Sequence, residues 1–302
     1  MTLSIISLPG AEACTGLLAR KLNANRCGLE SRRFPDGEIY LRVADDVRGH
    51  DVVVVAQLRE PDAQVPGMLF LADALRELGA GRVGLVAPYL PYMRQDARFR
   101  PGEAVTSRSF GKLVSSAFDW LVTVDPHLHR HKVLDEVYRI PAAAVPSAPA
   151  IAAWVHQRVA RPVIVGPDEE SRQWVAEVAD LAGCAHTVLR KLRHGDREIE
   201  LVLPDLQALE GHTPVLVDDI ISSAHTMAGA VRKLGAAGLA PAACVGVHAV
   251  FAADAAALLQ AAGAATVVSC NTLPHPSNAI DVTGAIAEAV RAQGEALSRS
   301  GS

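Results

Sequence analysis

Short apolar runs alternate along the chain with longer stretches in which apolar residues recur every three or four positions. The apolar runs predict strands over residues 3–8, 51–57, 82–89, 120–124, 162–166, 186–191, 198–203, 214–218, 243–248 and 266–270. Residues 66–78 carry apolar side chains at helical spacing and predict a helix that faces the core. Strands that are apolar throughout and separated by helices are typical of parallel sheets, so the pattern predicts an α/β fold.

One stretch breaks this rhythm and marks the best domain boundary. Residues 140–149 hold three prolines among alanine and serine, which predicts a semi-extended connector. The 302 residues suit two domains of ordinary size. We therefore expect domains at 1–145 and 146–302. Their similar strand–helix rhythm suggests a duplicated unit, although the residues themselves are not obviously repeated.

Composition narrows the class of protein. The formal net charge is −4, which gives no basic footprint for a nucleic-acid partner. Five scattered cysteines without a CxxC pair favour a reduced, cytoplasmic protein over a disulfide framework or zinc site. The longest apolar region, 242–265, is interrupted by His248, Asp254 and Gln260, so it predicts strand–helix–strand and no membrane association.

The first candidate site follows the strand predicted at 214–218. Asp218 and Asp219 come where that strand should surface, small polar residues follow, and a helix is expected from Met227. Loop amides and a helix dipole suit an anion such as phosphate, and two carboxylates can hold hydroxyl groups or Mg²⁺. The alternative is an ordinary strand end with solvated carboxylates and a capped helix.

Two further loops follow predicted strands in the first half. Residues 88–100 gather Arg94, Arg98 and Arg100 with aromatic residues, which suits phosphate and purine recognition, although a solvated basic loop would look the same. Residues 124–131 contain three histidines. We expect His127 to lie near phosphate or a Mg²⁺-bound water, supported by Asp125; the other two histidines suit a plain surface role.

Three candidates remain. Asp168 follows the strand at 162–166 and is either a Mg²⁺ ligand or a helix cap. Lys191 and Arg193 alternate along a strand before Gly195, which suggests a cationic arm that folds over a polyphosphate, or a solvated edge strand. Residues 33–38 form a turn that leads into a hairpin strand at 39–43.

As an ordered set, these motifs resemble the ribose-phosphate diphosphokinase (phosphoribosyl pyrophosphate synthetase) family. The resemblance runs from Phe34 to about Gly284, and the loop at 218–222 is most similar to the archaeal-type branch. It implies two phosphoribosyltransferase-type domains, each a mainly parallel sheet flanked by helices. It implies a homo-oligomer, a dimer or larger, with ATP sites at a subunit interface. The implied reaction transfers the diphosphoryl group of ATP to the 1-hydroxyl of ribose 5-phosphate and releases AMP.

The resemblance also implies a role for each matching residue. The ATP contacts would be Phe34, Asp36, Glu38, Arg94, Gln95 and Arg98. His127 and Asp168 would contact Mg²⁺ and the phosphates. Lys191 and Arg193 would stabilise the diphosphoryl group during its transfer. The ribose hydroxyls would be held by Asp218 and Asp219, and the 5-phosphate by Ser222, Ser223, Ala224, His225 and Thr226.

The chain departs from the family pattern at three places. Ala224 and His225 stand where the phosphate loop usually has glycines, so a positive φ there would carry strain. Ala97 stands where many members have arginine, and the segment from Glu169 lacks a common glycine pair. Two alternatives therefore stay open: a non-catalytic paralogue that regulates an active synthetase, and a phosphoribosyltransferase.

Overall fold

The chain divides into two compact units. The computed structural model describes residues 2–194, 198–202, 209–252 and 254–300. Unit 1 comprises Met1–Val145 and Thr283–Ser302, and unit 2 comprises Pro146–Val282. The expected domains, 1–145 and 146–302, differ from these units in one respect, because the segment from Thr283 onward is grouped with unit 1.

Unit 1 is built on a six-stranded parallel sheet. Its elements are β1 (Leu3–Ser7), α1 (Glu12–Leu22), β2 (Asn25–Cys27), β3 (Leu29–Arg33), β4 (Ile39–Val43), β5 (Asp51–Val55), α2 (Pro61–Glu77), β6 (Arg82–Val86), α3 (Thr106–Ala117), β7 (Trp120–Val124), β8 (Ala142–Val145) and the chain's last helix, α8 (Thr283–Ser300). The strand order is β2-β1-β5-β6-β7-β8, and β3 and β4 form a separate antiparallel hairpin.

The centre of this sheet is buried on both faces. The side chains of β7 are all buried, and only the first residues of β5 and β6 are partly exposed. Helix α2 covers one face with Met68, Leu71 and Leu75. Helix α8 packs on α1, β7 and β8 and buries Ile286 and Val290. Residues from the end of the chain therefore complete the core of the unit that begins it.

Unit 2 repeats this plan. Its elements are α4 (Ala148–Arg158), β9 (Pro162–Gly166), α5 (Arg172–Ala182), β10 (Ala185–Val188), β11 (Arg190–His194), β12 (Glu198–Val202), β13 (Thr213–Ile221), α6 (His225–Ala236), β14 (Ala243–Ala249), α7 (Ala255–Ala261), β15 (Thr266–Cys270) and β16 (Asn278–Ile280). The sheet order is β10-β9-β13-β14-β15-β16, and β11 pairs with β12 in an antiparallel hairpin. Position by position this is the topology of unit 1, as expected of a duplicated unit.

The structure corrects three local predictions. The connector predicted at 140–149 is not merely semi-extended, because Ala142–Val145 pairs with β7 as an edge strand and α4 begins at Ala148. The single strand predicted at 186–191 is two elements, β10 and β11. Strand β13 continues past the predicted end at residue 218, because Ile220 and Ile221 still pair with β14.

Candidate functional site

The predicted site residues of unit 1 lie beyond the carboxyl ends of its strands or on its hairpin. The turn between β3 and β4 carries Phe34, Asp36 and Glu38, all exposed. The Phe34 N–H donates to the Glu38 carbonyl at 2.8 Å, and Asp36 Oδ1 accepts from the Glu38 N–H at 3.2 Å. Gly37 has φ +94, a conformation that glycine adopts without strain. The predicted turn and hairpin strand are therefore confirmed.

Aromatic and cationic groups share one side of this hairpin. The Arg32 guanidinium lies 4.6 Å from the ring centre of Phe34 and 4.3 Å from that of Tyr40. The two rings meet edge to face at 6.1 Å. Beneath the hairpin, a cavity of about 290 Å³ opens between α2 and the end of β1. The turn thus presents a planar apolar group and two carboxylates on a supported arm.

The loop between β6 and α3 holds the arginines that were predicted to bind ATP. Arg94 and Arg98 are exposed and Gln95 is half-buried. The Arg98 Nε–H donates to the Glu103 carbonyl at 2.9 Å, while Glu103 Oε2 accepts from the N–H groups of Phe99 and Arg100. These bonds close residues 98–103, the outer half of the loop, into a turn. The side chains of Arg98 and Arg100 in this turn are exposed.

The inner half of the same loop is held by a strained tyrosine. Tyr92 has φ +64, a region that L-residues rarely adopt. Its hydroxyl donates to Asp62 at the start of α2, and its ring packs on Phe110 with centroids 5.1 Å apart. Burial, with the Asp62 bond second, raises the pKa of Tyr92 to about 12. Backbone strain that surrounding contacts impose is typical of ligand-binding segments.

An ion pair that the sequence did not reveal joins this loop to the next one. Asp96 is buried, and its Oδ1 accepts from Arg130 NH1 at 2.8 Å. Arg130 follows β7, the strand adjacent to β6. Asp96 lies within residues 88–100, which the sequence singled out, but nothing in the spacing indicated its partner 34 positions away.

The histidine segment after β7 begins with another unusual backbone. Asp125 has φ +30, and its N–H donates to the Val145 carbonyl of β8 at 3.1 Å. The rings of His127 and His129 meet edge to face with centroids 3.8 Å apart. His131 instead pairs with Glu136 at 3.1 Å, and its side chain is only 10% exposed, so it has a structural role and not the surface role expected from the sequence. His127 therefore sits at the same sheet edge as the arginine loop.

In unit 2, Asp168 lies just beyond β9. Its Oδ1 accepts from the Glu170 N–H at 3.1 Å, and its carbonyl accepts from the Ser171 hydroxyl at 2.6 Å. Asp168 thus caps a short 3₁₀ turn, as one of the two predictions for it allowed. Capping engages Oδ1, and the role of Asp168 as a metal ligand stays a prediction.

The acidic pair lies within β13 rather than after it. Asp219 is buried, whereas Asp218 is half-buried and opposite Gly246 of β14. Asp218 Oδ1 accepts from the Asp219 N–H at 3.1 Å, and Asp219 Oδ1 accepts from the Ile220 N–H at 2.7 Å. Because β9 and β13 are parallel neighbours, Asp168 and the acidic pair lie at the same edge of the sheet.

The loop after β13 carries the predicted strain. Ala224 has φ 60 and ψ 4 and is the residue directly before α6. Helix α6 begins at His225, two residues earlier than predicted, and His225 and Thr226 are exposed in its first turn. An alanine in this conformation costs about 1–2 kcal/mol relative to the right-handed region. The chain nevertheless turns here as a glycine would allow, and it aims the start of a helix at the sheet edge.

A neighbouring loop that the sequence did not single out supports this turn. The N–H groups of Phe251 and Ala252, after β14, donate to the carbonyls of Ile221 and Ser222 at 2.9 and 3.0 Å. The Phe251 ring stacks on His275 with centroids 4.3 Å apart and planes 2° apart. No periodicity in the sequence pairs residues 251 and 275, so only the folded sheet brings them together.

The cationic arm is described through its backbone. In β11, Lys191 is opposite Leu201 and Arg193 is opposite Ile199 of β12. The side chains of Lys191 and Arg193, and residues 195–197, lie outside the part of the chain that the structure describes. Strands β11 and β12 thus form an antiparallel pair, while the roles of the two cations stay predictions.

Comparisons with family models and with curated proteins agree on one kind of protein. Residues 3–117 match a family model described as the N-terminal domain of ribose phosphate pyrophosphokinase, and residues 134–284 match a phosphoribosyl transferase domain. A ribose-phosphate pyrophosphokinase from Methanopyrus kandleri is 37% identical over 277 residues, covering 90% of this chain and 93% of that protein. One from Methanothermobacter thermautotrophicus is 33% identical, covering 95% and 99%.

A solved structure agrees with these sequences. The crystal structure of phosphoribosylpyrophosphate synthetase from Mycobacterium smegmatis matches with a TM-score of 0.86 and 26% identity, covering 98% of this chain and 99% of that one. The likeness therefore extends over both units.

Proposed function

The chain belongs to the ribose-phosphate pyrophosphokinase family, and from that premise we propose how its own residues serve the family's reaction. The reaction transfers the diphosphoryl group of ATP to the 1-hydroxyl of ribose 5-phosphate and gives 5-phosphoribosyl 1-diphosphate and AMP. The new bond joins the sugar oxygen to the β-phosphorus of ATP, the bond from that phosphorus to the AMP oxygen breaks, and the hydroxyl proton leaves.

The observation that carries this proposal is the β13–α6 segment. Asp218 and Asp219 offer carboxylate oxygens to the two ribose hydroxyls, because hydroxyl groups donate well to a charged acceptor. The loop from Ser222 to Thr226 offers N–H and hydroxyl donors, and α6 adds the positive end of its dipole. The segment thereby suits a phosphorylated pentose more closely than a free sugar or a nucleobase.

The ATP contacts are assigned to unit 1. Arg94 and Arg98 suit phosphate oxygens, and Gln95 suits a polar edge of the nucleotide. Phe34, with Asp36 and Glu38, is assigned to the adenine and ribose of an ATP bound mainly by a second copy of the chain. That assignment makes the active protein a homo-oligomer.

Mg²⁺ is the cofactor we assign, with Asp168 and His127 serving it. A carboxylate oxygen at a strand end fits the preference of Mg²⁺ for hard oxygen ligands and substrate phosphates. An imidazole fits it less well, so His127 is better placed on a metal-bound water or a phosphate oxygen. Bound Mg²⁺ would neutralise phosphate charge. Lys191 and Arg193 would add positive charge around the transferring group.

The helices and the cysteines bear on where the protein is located. None of the helices in the described ranges is long and apolar enough to cross a membrane. The five cysteines lie in described segments, and none of them forms a disulfide. We propose a cytoplasmic location, where thiols stay reduced.

The deciding experiment is AMP formation by the purified chain with Mg²⁺, ATP and ribose 5-phosphate. We expect AMP and 5-phosphoribosyl 1-diphosphate in equal amounts, and neither when ribose 5-phosphate is omitted. Binding of ribose 5-phosphate without turnover would instead favour a regulatory paralogue. Consumption of 5-phosphoribosyl 1-diphosphate with a nucleobase would favour a phosphoribosyltransferase.

A further inference from the structure

We propose that Arg130 is a positioning residue for ATP binding: it neutralises the buried Asp96 carboxylate and so fixes the segment 94–98. The inference deepens the proposed function and rests on it, because that segment is assigned to ATP. Arg130 itself is outside the set of residues to which a substrate contact was assigned.

The pair is asymmetric in burial, which gives Arg130 its importance. The Asp96 side chain is 2% exposed, whereas that of Arg130 is 53% exposed. Asp96 Oδ1 takes the bond from Arg130 NH1 at 2.8 Å, while Oδ2 is buried without a hydrogen-bond partner among the described residues. A buried carboxylate needs a compensating charge, and Arg130 supplies it across this ion pair.

A second contact fixes the orientation of the guanidinium. Its central carbon lies 4.8 Å from the ring centre of Phe99, which belongs to the same loop as Asp96. A planar guanidinium can bond a carboxylate at its edge and meet an aromatic ring with its face, whereas an ammonium group is a compact point charge. Arg130 therefore holds the loop at two points, residues 96 and 99.

These two points lie among the proposed ATP contacts: Asp96 directly follows Gln95, and Phe99 directly follows Arg98. Glu103 already fixes the outer half of the loop through the N–H groups of Phe99 and Arg100. Arg130 holds Asp96 and Phe99 from the loop after β7, the adjacent strand. Loss of Arg130 leaves Asp96 buried and uncompensated, so the loop must shift to reach water, and Arg94 and Gln95 shift with it.

The test compares the two substrates in steady-state kinetics. We expect Arg130→Gln to raise KM for MgATP about tenfold, which corresponds to about 1.4 kcal/mol of binding. KM for ribose 5-phosphate and kcat should stay within about twofold, because no residue assigned to the sugar lies on this loop. Lys132→Gln, an equal charge change two positions along the same loop, is the matched control and should change nothing.

Two further variants separate positioning from general damage. Arg130→Lys keeps the positive charge but loses the planar guanidinium and its contact with the Phe99 ring, so KM for MgATP should rise only about threefold. This variant replaces Arg130→Gln in the test if Arg130→Gln fails to fold. Asp96→Asn combined with Arg130→Gln should raise KM less than the product of the single effects, because each removes the same interaction.

Three results would overturn the proposal: an unchanged KM for MgATP, equal rises for both substrates, or the same effect from Lys132→Gln. A wild-type chain that forms no AMP would sink the proposed reaction and leave this inference testable. In that case calorimetric titration with MgATP decides it, and the Kd should rise about tenfold in Arg130→Gln with the Tm changed by only a few degrees.

Discussion

At the scale of single residues, strain and burial concentrate where strands end. Tyr92, Asp125, Ala224 and Phe251 all have positive φ although none is glycine, and each follows a strand of its unit's sheet. The sequence could predict strain at Ala224, because the family motif places glycine there. Nothing in the sequence marked the other three, since a residue's φ is imposed by contacts that form only in the fold.

Ala224 gives the first residue-scale prediction. Ala224→Gly should change the free energy of unfolding by less than about 1 kcal/mol, because relief of strain offsets the added freedom of the unfolded chain. Ala224→Val should lose at least about 2 kcal/mol, since a β-branched residue is poorly tolerated at φ 60. Urea denaturation of both variants measures the difference. Equal stabilities would mean that the turn has moved to a negative φ.

Tyr92 sets a pH dependence. Because its pKa is raised to about 12 by burial and the Asp62 bond, the folded chain keeps a phenol proton that the unfolded chain loses near pH 10. This contribution is complete below pH 10 and is lost as pH rises to about 12. The Tm of Tyr92→Phe should therefore fall less steeply than that of wild type between these values. Parallel curves would contradict the assignment.

Lys191 tests the cationic arm. Lys191→Ala should lower kcat about 100-fold while the Kd of ATP stays within about threefold, because its contact is assigned to the transition state. Lys112→Ala, which removes an exposed lysine from α3, is the control. Equal losses in ATP binding and turnover would place Lys191 in ground-state binding instead.

At the scale of elements, buried strands were predictable and edge strands were not. Both faces of β5, β7 and β14 are covered, so these strands are apolar throughout. A short apolar run of this kind can be recognised in the sequence as a buried strand. Strand β2 is a short edge strand of largely exposed polar residues and carries no such signal. The positions of Asp168 and Arg94 followed from the rule that parallel strands end at one edge. The pairing of Asp96 with Arg130 could not be predicted from that rule, because it depends on the folded conformation of two separate loops.

Strand packing in unit 1 gives an element-scale prediction. Gly84 of β6 lies opposite Trp120 of β7, and a Cβ at position 84 would lie 1.9 Å from the indole. Gly84→Ala should therefore destabilise the chain by about 3 kcal/mol. In a Trp120→Leu background the same change should cost much less, because the clash is gone. Gly16→Ala in α1, with 4.0 Å to the nearest atom, should instead stabilise by about 1 kcal/mol.

At the scale of the whole molecule, one topology occurs twice with different loops. Both units order their six strands alike and project a hairpin after the second strand. The hairpin of unit 1 carries Phe34, and that of unit 2 carries Lys191. The repeated alternation of strands and helices could be predicted from the sequence. The assignment of α8 to unit 1 could not, because the apolar face of a helix does not indicate which sheet it packs against.

Removal of α8 is the whole-molecule prediction. A chain that stops at Val282 exposes the surface that Ile286 and Val290 cover, so unit 1 should lose about 4 kcal/mol. Hydrogen exchange should show β7 and β8 losing protection while β13 and β14 keep theirs. A chain ending at Gln293 retains both side chains and serves as the control. Uniform loss across both units would contradict the grouping of α8 with unit 1.

The position of α8 has a consequence for biosynthesis. Unit 2 is one continuous segment, so it can close as soon as residue 282 has emerged from the ribosome. The strands of unit 1 come before unit 2 in the nascent polypeptide and its covering helix comes after it, so unit 1 must wait until α8 has also emerged. Domains usually mature from the amino terminus onward. Here we expect the reverse order, and a nascent chain arrested just after residue 282 has emerged should contain a folded unit 2 and an incomplete unit 1.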